Sequence, residues 1–167
     1  MKLKRATSSL LQKVFSSWLQ LRWRDGSGIA RQIRNKCPDV YSIYSHNHNY
    51  AGLHLGDVIF VGGSSISTDG GIDGQLHGIS NQLPLDLIAA NAMTQYRYGR
   101  DPNTVYVDYD AVAACFARIN MLSRNGFTVN FPLIGCGLAN GDLEDVAQAI
   151  ESVMPSDAKL ILWKFSD

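Results

Sequence analysis

The sequence predicts an α/β domain whose mainly parallel sheet is covered by helices on both faces. Three observations lead there. Short apolar runs, "DVIFVGG", "LDLIAANAMTQ", "FTVNFPLIG" and "AKLILWKF", read as buried strands. Segments with apolar residues at three- and four-residue spacing stand between them and read as helices. Two glycine-rich stretches, "DGSGIARQI" and "GCGLANGDLEDV", each open a helix, as loops at the carboxyl ends of sheet strands do. With 167 residues the chain is one domain, and 46% apolar against 18% charged residues excludes a disordered or fibrous class.

In chain order, Leu10, Leu11, Val14, Phe15, Trp18, Leu19 and Leu21 fall mostly at helical spacing, so the period predicts an amphipathic helix from Leu10 to Trp23. A glycine turn then feeds a second helical stretch, which Pro38 interrupts and which resumes at Asp39. "HNHNYAGLHLGD" reads as a polar loop before the strand "DVIFVGG". The next twenty-one residues, "SSISTDGGIDGQLHGISNQLP", read as a surface flap or hairpin with a DGG turn. After the strand "LDLIAANAMTQ" and the turn "YGRDPN", a helix is expected over Val105 to Asn125, with Val112, Cys115, Phe116, Ile119 and Leu122 inward and Gly126 as its stop. "FTVNFPLIG" is a strand, "GDLEDVAQAIESVM" a helix with an acidic first turn, and "AKLILWKF" the last strand.

The zero net charge hides an asymmetry. Residues 1 to 36 hold nine Lys or Arg against Asp25 alone, and the remaining 131 hold six basic and fourteen acidic side chains. The chain reads as a basic segment, 1–24, before an acidic body, 25–167. The body is therefore not a general nucleic-acid binder, which needs a basic surface. No apolar run reaches the length of a membrane span, so no membrane partner is expected. Cys37, Cys115 and Cys136 are odd in number and match neither a zinc site nor a CxxC pair. A reducing cytoplasm is the simplest setting, although a start rich in Lys, Arg and Ser is also how an organelle-targeting peptide reads.

A helix N-terminus presents unpaired amides and the positive end of a dipole, and glycines let a phosphate approach them. Two such loops converging on one crevice suit a diphosphate. The segments "GSGIARQIRNKCPDVYSIY" and "FPLIGCGLANGDLEDVAQAI", in this order with "LIAANAMTQ" between them, resemble the macrodomain family, in particular its phage and microbial branch similar to ADP-ribose 1''-phosphate phosphatases. The resemblance implies a three-layer α/β/α fold with a mixed, mostly parallel sheet. It also implies ADP-ribose or a derivative as partner, no further cofactor, and the host cytoplasm for a phage-encoded chain. By this likeness Gly26, Ser27, Gly28, Ile29 and Ala30 form the first ligand loop. Gly135, Cys136, Gly137, Leu138, Ala139 and Asn140 surround the diphosphate and distal ribose, Thr94 and Gln95 contact the ligand after the middle strand, and Phe165 is an adenine-side contact. The implied activity is hydrolysis of ADP-ribose 1''-phosphate; the alternatives are a non-catalytic reader of free or protein-linked ADP-ribose, or an ADP-ribosyl hydrolase.

The chain departs from the family at identifiable places. Where the resemblance implies a strand delivering an Asn to the cleft, preceded by an acidic residue, this sequence has "SSLLQKVFSSWLQLRWRD". Gln95 stands where the deacylating branch often has a lysine, and Ala139 where it can have an aspartate, so a lysine-and-aspartate mechanism does not carry over.

Other reactive side chains have simpler readings. Cys136 is flanked two residues away by Ile134 and Leu138, not by the glycines of a nucleophile elbow. His46, His48 and His54 sit in a polar stretch with no evident fourth ligand, so no metal is expected. His77 reads as a surface residue of the flap. Asp142 is expected to cap a helix whose dipole Glu144 and Asp145 answer. Tyr96 and Tyr98 suit either a pocket lining or turn-side packing.

Overall fold

Apolar alternation along two neighbouring strands decides which helices cover which face of the sheet. The computed structural model describes residues 2–6, 19–20, 34–66, 76–83, 85–97, 99, 101–124, 126–137 and 139–165. Its elements are β1 (Lys2–Ala6), β2 (Leu19–Gln20), α1 (Pro38–Ala51), β3 (Val58–Gly63), β4 (Leu76–Ser80), β5 (Ile88–Ala92), α2 (Tyr109–Arg124), β6 (Val129–Pro132), α3 (Leu143–Glu151) and β7 (Leu160–Phe165). The strands β1, β7 and β6 pair in that order and all run parallel. A second group pairs in the order β2, β5, β3, β4, and β2 lies beside β6. Within it β2 is parallel to β5 and β4 to β3, whereas β3 is antiparallel to β5. The sheet is thus mixed and mostly parallel.

Successive side chains of a strand point to opposite faces. Val58 and Phe60 of β3, with Ile88 and Ala90 of β5, pack in one core with Val112, Phe116 and Ile119 of α2 and Val146 and Ile150 of α3. Ile59, Val61 and Ala89 pack in a second core with Val40 and Tyr44 of α1. Among the described residues α1 therefore covers one face and α2 and α3 the other, which gives the three layers. The stripe predicted for α2 is the buried one: Val112, Cys115, Phe116, Ile119 and Leu122 are all inaccessible. Gly126 ends it with φ +84°.

Four expectations need correction. The helix expected from Leu10 to Trp23 does not run through Leu19 and Gln20, which pair with Ala90 and Asn91 of β5; residues 7–18 and 21–33 lie outside the described residues. The edge of β5 demands backbone partners, and pairing in the sheet overrides a local helical period. The stretch after β3 is not a β3–β4 hairpin, because β4 runs parallel to β3 and a two-residue turn joins only antiparallel strands. Gly78 in β4 is needed there for close packing: an added Cβ would lie 2.7 Å from Ile43 Cδ1 of α1. The polar loop expected at His46 is instead the last turn of α1, closed by Gly52 at φ +68°. Asn47 Nδ2 donates to Ile43 O (2.8 Å), and His46 pairs with Tyr50 and His48 with Tyr44 across one helical turn. Lastly, α2 begins at Tyr109 and not at Val105, because Tyr106 and Asp108 use their amides elsewhere, as described below.

Phe131 of β6 is 2% exposed and meets Phe116 of α2 edge-on at 5.2 Å between ring centroids. Replacing Phe131 by Ala is expected to lower stability by about 3–5 kcal/mol, read as a reduced urea midpoint with an unchanged slope.

Candidate functional site

The loop from β6 to α3 is closed on itself. Gly141 N donates to Gly135 O (2.7 Å) and Asn140 N to Gly137 O (3.0 Å), with Gly135 at φ +69° and Asn140 at φ +52°. Asparagine tolerates this left-handed geometry better than other residues with a Cβ. Its side chain then locks the loop from outside: Asn140 Nδ2 donates to Asp101 O (2.7 Å) and Thr104 O (2.9 Å). Asp101 is in turn held in a turn by Thr104 Oγ1 and Asn103 N, which keep its carboxyl below the usual range.

Three residues bridge this loop to the end of β5. Tyr106 N donates to Ala139 O (2.8 Å) and Asp108 N to Thr94 O (2.9 Å). Val107 between them fills the space beside two glycines: an added Cβ would come within 2.6 Å of its side chain at Gly135 and within 2.5 Å at Gly141. Gly137 is different. A Cβ there would meet nothing within 4 Å among the described residues. Two of the loop's glycines therefore serve packing, and the third faces open space where a ligand can approach the backbone.

The start of α3, where helix-dipole reasoning puts an anion, is already occupied by a side chain of the protein. Asp142 Oδ1 accepts from Glu144 N (2.7 Å) and Asp145 N (3.3 Å), so a carboxylate already occupies the start of α3, and Asp142 is the cap expected of it. Gly137 N and Ala139 N have no backbone acceptor among the described residues.

Thr94 and Gln95 follow β5 and are buried, and neither Thr94 Oγ1 nor Gln95 Oε1 has a hydrogen-bond partner. Phe165 ends β7, two residues beyond the pairing of Pro132 with Trp163, and so lies at the same end of the sheet as the β6–α3 loop. Gly26, Ser27, Gly28, Ile29, Ala30 and Leu138 lie outside the described residues. Sequence reading missed the bridge Tyr106–Asp108 and the role of Asp101 and Thr104. The turn residues "RDPNT" were its only signal.

The remaining reactive groups are engaged. Cys136 Sγ donates to Ile134 O (3.2 Å), and burial, with Asp142 nearby, raises its pKa. His46 and His48, two apart on α1, point to different sides of the helix and cannot share a metal ion. A separate polar cavity of about 340 Å³ near the start of β3 is lined by Asn47, His54, Asp57, Phe60, His77 and Arg118, and no predicted ligand residue lines it. Its polar groups satisfy one another: Arg118 Nη2 donates to Asp57 Oδ1 (3.3 Å), and Phe60 N donates to His77 Nδ1 (3.1 Å). His77 is thus a strand residue of β4 facing β3.

Gly135→Ala combines a left-handed φ with a collision against Val107, and a loss of about 2–4 kcal/mol is expected in chemical denaturation. Burial pushes the Cys115 thiol up to about 12 and raises Cys37 as well. A raised thiol pKa means less thiolate at a given pH. At pH 8 a chromogenic disulfide reagent is therefore expected to react slowly with the native chain, at Cys136 first, and with all three thiols once urea is added.

No protein-family model matches the chain, and no curated protein matches it in sequence. Solved structures do. A Bacteroides thetaiotaomicron protein of unknown function superposes with a TM-score of 0.71 at 19% identity, over 98% of each chain. The macrodomain of Mycobacterium tuberculosis DarG superposes with a TM-score of 0.63 at 17% identity, over 99% of this chain and 97% of that one. Thermosipho africanus DarTG, solved in complex with ADP-ribose, gives 0.63 at 13% identity over 98% of this chain and 42% of that one. Identities this low speak to architecture, and with the mixed three-layer sheet they lead to one conclusion: the chain has the macrodomain fold.

Proposed function

We propose that the chain binds ADP-ribose at the carboxyl ends of β5 and β6 and hydrolyses ADP-ribose 1''-phosphate to ADP-ribose and phosphate. The observation that carries this reading is the β6–α3 loop: closed on itself by Gly141 N to Gly135 O and Asn140 N to Gly137 O, with nothing among the described residues against Gly137 and no backbone acceptor among them for its amide. Preorganised amides of this kind stabilise phosphate charge without reorganising. The ADP-ribose complex of the Thermosipho DarTG structure, which shares the fold, supports the choice of ligand.

In this reading the diphosphate lies against Cys136 and Gly137, with Leu138, Ala139 and Asn140 completing the loop. Gly26, Ser27, Gly28, Ile29 and Ala30 close over its other side. Phe165 borders the adenine end. The terminal phosphate then extends toward Thr94 and Gln95. Catalysis is positional: phosphoryl transfer through a loose transition state asks the protein for alignment and charge stabilisation more than for covalent chemistry. A second reading, binding without turnover, is favoured by one observation. The acids nearest the loop are engaged as caps and turn acceptors, Asp101 by Thr104 and Asn103, Asp108 by Ala111 N and Asp142 by α3.

Calorimetry with ADP-ribose, followed by a phosphate-release assay with its 1''-phosphate, separates the two. Binding with release supports the phosphatase, and binding without release the reader. Gly137→Glu is expected to abolish binding in a chain that remains folded, because open space receives the side chain while its carboxylate competes for the same amides. Unchanged affinity in that variant removes the loop from the site.

A further inference from the structure

We infer that Gln95 is the water-positioning residue of this site: its Oε1 accepts a hydrogen bond from the water that attacks the terminal phosphorus. The inference rests on the phosphatase reading above and deepens it.

Buried polar atoms in folded proteins are nearly always paired, and an orphan is costly unless something other than the fold requires it. Gln95 is 8% exposed and its Oε1 has no partner among the described residues, and the adjoining Thr94 Oγ1 is a second such atom in the same segment. Both belong to the stretch tied to the loop, since Thr94 O holds Asp108 N and Tyr106 N holds Ala139 O. The free amide oxygen needs a donor. At the reacting phosphorus, where the phosphate oxygens carry almost no hydrogen at neutral pH, that donor is the attacking water, whereas a ribose hydroxyl in its place would show as affinity lost with Gln95→Met.

Elimination points the same way. Asp101, Asp108 and Asp142 each hold a turn or a helix start, and burial raises the Cys136 thiol, so none is poised as a base. A neutral carboxamide suffices to orient water for phosphoryl transfer, as a glutamine does in some GTP-hydrolysing enzymes. In the step, the water oxygen bonds to phosphorus while the bond from phosphorus to the C1'' oxygen breaks. One water proton stays on the new phosphate and the other ends on the departing ribose oxygen, which leaves ADP-ribose and hydrogen phosphate.

The test compares wild type, Gln95→Met and Gln95→Glu by ADP-ribose calorimetry, thermal melting and phosphate release from ADP-ribose 1''-phosphate. Gln95→Met removes an unpaired polar group and keeps its shape, so an unchanged or higher melting temperature is expected, with ADP-ribose affinity little changed and kcat lowered about 100-fold. Gln95→Glu keeps the acceptor oxygen, so turnover above that of Gln95→Met is expected, with a rate that climbs as the new carboxylate ionises, a pH limb the wild type lacks. A Gln95→Met variant that melts unchanged and keeps the wild-type kcat overturns the inference and leaves the phosphatase reading standing. So does a loss confined to KM. A wild type that binds ADP-ribose but releases no phosphate overturns the phosphatase reading itself, and the water with it.

Discussion

The cleft depends on one wedge, the side chain of Val107 between Gly135 and Gly141. The two glycines approach it more closely than any Cβ permits, and the amides on either side of it, Tyr106 N and Asp108 N, hold Ala139 and Thr94. The β6–α3 loop is thereby fixed relative to β5 although neither strand pairs with the other. A loop attached only by its ends would have to be ordered by the ligand at the ligand's own cost in affinity. Here the packing of one valine has already ordered it.

Local pattern revealed the elements whose pattern is local. β3, β5, β6 and β7 carry apolar runs, and α2 buries the five residues its period singles out. The cap at Asp142 and the stop at Gly126 are likewise short-range events. What stayed illegible is set by partners distant in sequence. Leu19 and Gln20 belong to a run of helical period and become strand because β5, about 70 residues on, offers an unpaired edge. β4 is embedded in serine, glycine and aspartate, and β3 decides its conformation. Val105 to Asp108 look like the first turn of α2 until Ala139 O of the loop takes the amide of Tyr106 and Thr94 O, after β5, that of Asp108.

The candidate site shows the same division. Composition marked the late glycine loop as unusual, but could not say that Gly135 and Gly141 answer to Val107 while Gly137 answers to no neighbour among the described residues. Nor could it show that Asp142 takes the helix amides an anion was expected to use. Polar side chains around the cleft sort into those that hold the frame, such as Asn140 and Asp101, and those that hold nothing in the frame, Thr94 and Gln95. Among the described residues the side chains of Thr94 and Gln95 are the ones that keep a buried oxygen unpaired here, although Thr94 O also holds the frame through Asp108 N.

The pairing of β1 with β7 sets the order in which the chain can be completed. Lys2 to Ala6 find their sheet partners in Ile161 to Phe165, so at a synthesis rate of about 5–20 residues per second β1 waits roughly 8–30 s on the ribosome for its neighbour. An unpaired strand held that long invites pairing with other chains. Three of its five residues, Lys2, Lys4 and Arg5, carry positive charge, and two such strands from different nascent chains repel. The same charges act in the folded sheet, where β1 is the outermost strand of its group among the described residues and keeps one edge without a strand partner.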